Sequence, residues 1–370
     1  MHETRTQRLL PSLISAAIGL LLGWYLLFIT RPADSLAGLK TILMGGIPEG
    51  TKGIGNLLNT ASPIILTGLS VGFSIRTGHF NIGAAGQFTC GAAFAIFVGV
   101  RAVFLPPALR CVFAILAGAL AGGLCGLVPG VLKAYCRVNE VISGILLNYV
   151  AMLLTNLLIR GQFYDTVNNA SLLVPEEARL SGGFLDALLP GCRVSPGFLI
   201  VLMILLLTWV LMEKTVFGYE LRVTGKNRFA GLYSGIRGSR DTVLAMALCG
   251  AIAGIGGALM YLSDFGDRII LNETILPQGF TGISVALLGM SSPLGILLAG
   301  LFIAHLTIGG QYLQLFSFTP DIVDMIIAII VYCGALTLPV RLLLEKRALK
   351  KERMKLAAEK AGKEARNEHA

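Results

Sequence analysis

Two sets of polar residues in this 370-residue chain have types and spacing suited to contact chemistry. One set is uncharged: Asn81, Gln87, Asn148 and Tyr149, placed at the starts of apolar runs or inside them. Amides and a phenol hold a hydroxylated solute by hydrogen bonds and form no covalent bond to it. Buried in an apolar run, each needs a ligand or another part of the chain as its partner. The other set lies in a basic loop from Glu213 to Arg240, with the spacing Gly225-x-Asn227-x-x-Ala230-x-x-Tyr233-x-Gly235-Ile236. This loop carries six Lys or Arg (Lys214, Arg222, Lys226, Arg228, Arg237, Arg240) against two Glu, which suits contact with a soluble partner beside a membrane.

Covalent chemistry finds no comparable support. Gly68-Leu69-Ser70-Val71-Gly72 has the spacing of a nucleophile elbow, but it lies inside an apolar run, with no His or Asp partner in view. Gly225-Lys226-Asn227 ends like a phosphate-binding loop. However, Glu220 stands where that loop needs its first Gly, and Asn227 where it needs Ser or Thr. No ATP site and no cofactor are therefore expected in the chain itself. His2, His79, His305 and His369 are scattered, and His305 reads as a packed or hydrogen-bonded imidazole. The seven Cys show no metal-ligand spacing and read as small apolar side chains; no metal site is expected.

Composition determines what must position these groups. The chain is 55% hydrophobic and 14% charged, with mean hydropathy +0.75, whereas soluble domains average about 25% charged residues. This is the composition of a polytopic membrane protein. The net charge of +9 does not imply nucleic acid, because no folded soluble region exists to carry a basic face. Ten spans are expected near 9–30, 57–75, 82–100, 110–132, 141–159, 197–212, 241–262, 280–290, 294–309 and 321–343. The first is an uncleaved helix, because its apolar run is longer than that of a signal peptide. The eighth and ninth, interrupted by Ser291-Ser292-Pro293, form either a helix pair or a re-entrant hairpin. With both termini cytoplasmic, 21 of the 30 Lys and Arg fall on inner segments, as the positive-inside rule requires. Residues 1–344 then form the transmembrane domain, and 345–370 form a charged cytoplasmic tail. The spans are nearly free of carboxylates, so the chain holds little machinery for coupling to an ion gradient.

Four blocks carry a resemblance. The loop motif Gly225 to Ile236 is one. Phe80-Asn81-Ile82-Gly83-Ala84-Ala85-Gly86-Gln87 is similar to an FNIGAEGQ signature, with Ala85 at its acidic position. Asn139-Glu140-Val141-Ile142-Ser143, ending in Leu147-Asn148-Tyr149, is similar to NEVISxxxLNY, and Gly279 to Gly295 to GFxGIAVALLG followed by NPLG, with Ser291 and Ser292 at its usually more polar positions. In this order the blocks resemble the permease subunits of ABC importers for simple sugars, nucleosides and branched-chain amino acids, closest to the nucleoside and sugar branch. The resemblance implies an all-α, type II ABC importer-like bundle of about ten transmembrane helices in a bacterial plasma membrane. It implies a cytoplasmic ATPase subunit that binds the ATP and grips Gly225, Asn227, Ala230, Tyr233, Gly235 and Ile236. It also implies a second permease chain, identical or not, and an extracytoplasmic lipoprotein that delivers the solute. Asn81, Gln87, Asn148 and Tyr149 are the candidates for the solute path, as against roles in helix capping and packing. A stand-alone secondary carrier or channel is the alternative reading.

Overall fold

The computed structural model describes residues 5–180, 195–227, 231, 233–263, 268–272, 274–316 and 318–336, with isolated positions beyond. Each expected span coincides with a helix. These are α1 (Arg5–Thr30), α3 (Thr51–Arg76), α4 (Ala84–Arg101), α5 (Pro107–Cys136), α6 (Glu140–Gln162), α7 (Gly197–Lys214), α9 (Gly238–Leu262), α10 (Gln278–Leu288), α11 (Pro293–Gln311) and α12 (Pro320–Ala335). Among the described residues two further helices lie between them, α2 (Ser35–Met44) and α8 (Val216–Lys226). Among the described residues, eight helices are long and apolar enough to cross a membrane. The expected count of about ten is therefore approximate, and α10 is the helix that falls clearly short of a full span. The 11 residues of α10 reach about 16 Å at 1.5 Å per residue, half of an apolar layer of roughly 30 Å.

The hairpin of α10 and α11 is made by local chemistry. At its turn Met290 and Ser291 take left-handed backbone angles (φ 52° and 53°), and their N–H groups donate to the carbonyls of Leu287 and Ala286. Ser292 Oγ then accepts the Gly295 N–H at 3.2 Å, and Pro293 opens α11, where a missing N–H costs no helical bond. The turn sits beside Gly72 of α3, and Gly282 of α10 lies against Thr67 and Gly68. The short helix thus runs beside the second half of α3 only.

α9 is the central helix, packed most extensively on α5 and then on α4. The contact is backbone to backbone. A Cβ added at Gly254 would lie 2.2 Å from the Gly118 carbonyl oxygen, and one at Gly250 would lie 2.2 Å from that of Gly122. Small residues permit this approach where lipid supplies no hydrophobic drive between helices. The connections at one end of the bundle follow α3, α5 and α7, and this end includes α8. The opposite end carries α2 and a small hairpin, β1 (Tyr164–Asp165) with β2 (Ala170–Ser171). There, His305 Nε2 of α11 donates to the Leu43 carbonyl at 2.8 Å and ties α11 to α2.

Candidate functional site

Three groupings bear on function: a surface helix at one end, a polar network beneath it, and a cavity at the other end.

The helix α8 starts at a cap in which Thr215 Oγ1 accepts the Gly218 N–H at 3.0 Å. Its Leu221 is buried in a cluster with Phe73, Met212, Ala245 and Cys249. Glu213, at the end of α7, pairs with Arg76 of α3 and, at 2.9 Å, with Arg222 of α8. Near its end α8 lies directly on the α3–α4 connection: a Cβ at Gly225 would sit 2.3 Å from the Thr77 carbonyl oxygen, and one at Gly78 would sit 2.4 Å from Gly225 Cα. Asn227 is extended, and its carbonyl accepts the Gly231 N–H. The Ile236 N–H then donates to the Gly231 carbonyl, with Gly235 at φ 76°, the signature of a helix end closed by a left-handed glycine. Among the described residues nothing lies within 4 Å of a Cβ added at Gly235, and its left-handed φ makes the requirement conformational. Tyr233 is 92% exposed. Ala230 lies outside the described residues.

Past Gly78 the chain turns back along α3. Asn81 donates its backbone N–H to Ser74 Oγ at 3.0 Å, and its side chain exchanges two bonds with Gln87, at 2.7 and 3.0 Å. Asn81 Nδ2 also reaches Ser70 Oγ, which donates to the Cys249 carbonyl of α9. Asn148 of α6, 2% exposed, accepts the Gly86 N–H at 2.8 Å and donates to the Ile82 carbonyl at 3.1 Å. The structure thus brings Asn81, Gln87 and Asn148 into one buried network across four helices and pairs their polar groups within the fold. Tyr149 is 52% exposed and takes no part in it. None of the four lines the cavity described below. Replacing Asn148 with leucine strands a buried N–H and a buried carbonyl, each costing ~1–3 kcal/mol. Asn148→Leu is expected to lower the melting temperature of the detergent-extracted protein clearly more than Tyr149→Leu; equal melting curves would refute the capping role.

Beside the network, Lys133 of α5 bonds His79 Nδ1 at 2.8 Å and pairs with Glu140 at the start of α6. Burial, and then the Lys133 charge, push His79 down to about 4 against an opposing pull from Glu140. The imidazole is therefore neutral and able to accept the lysine N–H.

At the α2 end, α3, α10, α11 and α12 enclose a cavity of about 1000 Å³. Its polar lining includes Asn59, Thr60, Gln278, Thr281 and Gln311. These residues were not among the sequence candidates, although Asn56, Asn59 and Thr60 share one face of α3 at the i, i+3, i+4 spacing, and Gln278 and Thr281 share one face of α10. A polar stripe on an apolar span was the signal that would have found them. Among the described residues no group of three or more His, Cys, Asp or Glu is placed to hold a metal ion.

Residues 53–334 match the family of permease components of branched-chain amino acid transport systems. The chain belongs to this family. It is 34% identical over 343 residues to the guanosine ABC transporter permease protein NupP of Bacillus subtilis, covering 92% of this chain and 97% of the relative. With the nucleoside ABC transporter permease protein NupB of Lactococcus lactis it shares 29% over 366 residues, covering 97% of this chain and all of the relative. The glucose ABC transporter permease protein TsgB13 of Haloferax volcanii is 34% identical over 294 residues, 75% of each chain. No solved structure matches. This permease is a multi-pass membrane subunit of an ABC importer, and a subunit of that kind works with an ATPase and a substrate-binding partner.

Proposed function

We propose that this permease carries a nucleoside inward across the plasma membrane, paired with a second permease chain, and that its ATPase partner drives it through the segment Val216–Ile236. The α8 end is the cytoplasmic end, and both termini lie on that side. The ATP is bound by the partner, and an extracytoplasmic lipoprotein delivers the solute to the α2 end. Residues 1–344 act as the transport domain and 345–370 as a charged tail.

The observation that carries this reading is the seat of Gly225 on the Thr77–Gly78 backbone. A push on the surface segment reaches the α3–α4 connection without passing through flexible side chains, and six residues beyond Gly78 the chain enters α4. Asn81, Gln87 and Asn148 hold this connection in one arrangement. Tyr233, exposed and flanked by basic residues, suits a groove on the ATPase. The nucleoside assignment is supported by the names of the two relatives that cover nearly the whole chain.

The test is purification of the tagged chain from its membrane in mild detergent, followed by proteoliposome uptake. An ATPase, a second permease and a lipoprotein should co-purify, and labelled inosine should enter only with ATP, regardless of an uncoupler. Recovery of the chain alone, with uptake that collapses on uncoupling, would replace this reading with a stand-alone carrier.

A further inference from the structure

We propose that the cavity between α3, α10, α11 and α12 is a holding site for one uncharged, hydroxylated solute bearing a planar ring, and that the first turn of α10 forms its floor. This rests on the importer reading for its direction of use, but the site is built from its own observations.

The first is depth. α10 begins where Gly279 meets Ala85 and Gly282 meets Thr67, about midway along α3, and from there the cavity extends toward the α2 end. A helix end and its polar backbone are tolerated at membrane depth only when buried in protein or lining a cavity, so the half-length of α10 and the cavity above it explain each other.

The second is chemistry. Among the described residues the lining supplies amides and hydroxyls and includes no Asp, Glu, Lys or Arg. Taking a phosphate, carboxylate or ammonium out of water is unfavourable without a counter-charge, so charged solutes are disfavoured. At the rim Glu49 accepts from Asn56 and lies beside Tyr312, which further opposes anions. A neutral solute with several hydroxyls meets the opposite condition, a hydrogen-bonding group on each wall.

The third is the state of the floor. Gln278 Oε1 is shielded from water and has no hydrogen-bond partner among the described residues. An acceptor left in that state is costly, and rotation of the Gln278 amide into the cavity that the residue lines would let a ring N–H or a hydroxyl satisfy it. Phe280 of α10 and Tyr332 of α12 also line the cavity and are 42% and 72% exposed, so two aromatic side chains are available to a planar ring.

The experiment uses the whole transporter assembly in lipid nanodiscs, with the exposed Cys136 and also Cys192 replaced by Ser as background. Thr281→Cys on the floor and, separately, Thr60→Cys on the α3 wall report through a membrane-impermeant maleimide, with inosine and inosine 5′-monophosphate as probes. Saturating inosine should slow labelling at both positions about tenfold, as mass action gives when nine sites in ten are filled. The monophosphate should not slow it, and adding Gln278→Leu to the Thr60→Cys protein should remove most of the protection. Labelling indifferent to inosine at both positions, equal protection by the monophosphate, or failure of both cysteines to label would each overturn the site. Inosine protection in an assembly that shows no ATP-driven uptake would remove the importer reading and leave the site standing.

Discussion

Gly225→Val is expected to abolish ATP-driven uptake while leaving the bundle assembled. At this position α8 touches the α3–α4 connection through backbone atoms on both sides, with a Cβ 2.3 Å from the Thr77 carbonyl oxygen and 2.7 Å from the Gly78 nitrogen. A side chain there has no flexible neighbour to displace, so α8 must lift from its seat. Leu221 and the pairing of Glu213 with Arg76 and Arg222 still hold the other end of α8, so the lever detaches at its contact and stays attached at its hinge. An overpacked contact costs ~1–3 kcal/mol. At about 1.4 kcal/mol per factor of ten, uptake should fall roughly ten- to hundredfold. Gly161→Val is the control, because among the described residues nothing lies within 4 Å of a Cβ there. Uptake and ATP hydrolysis are to be measured on the same proteoliposomes. The expected pattern is retained hydrolysis without transport, and normal inosine uptake by Gly225→Val would sink the lever assignment.

A larger effect is expected at Gly254. This residue is enclosed from two directions: its own Cβ would lie 2.2 Å from the Gly118 oxygen of α5, and a Cβ at Gly91 of α4 would lie 2.3 Å from Gly254 Cα. α9 cannot yield to one helix without pressing on the other. Gly254→Leu should therefore separate α9 from α5, the most extensive helix contact in the molecule, at a cost above the usual ~1–3 kcal/mol of overpacking. Size-exclusion of the detergent extract should show little or no monodisperse protein. Gly123→Ala, on the same face of α5 but with its nearest neighbour at 3.4 Å, should behave as the natural chain does. A monodisperse Gly254→Leu protein with unchanged thermal stability would show that close backbone contact is not what holds α9.

What the amino-acid order determined without a fold is whatever depends on neighbours in the chain. Long apolar runs located the spans, since a helix in lipid must satisfy its own backbone. Four motifs in sequence were enough to indicate the permease family. The paired positions of Gly225 and Gly235 were legible as special, but their reasons differ, since one needs room and the other a left-handed turn. Tertiary structure alone decided where polar groups find their partners. Asn81, Gln87 and Asn148 look alike from sequence whether they face a solute or one another; only the meeting of α3, α4, α6 and α9 pairs them internally. The cavity is equally non-local. Its walls come from residues as far apart as Asn56 and Tyr332, and it exists because α10 stops half-way across the bundle and leaves open the space that a full-length helix would have filled.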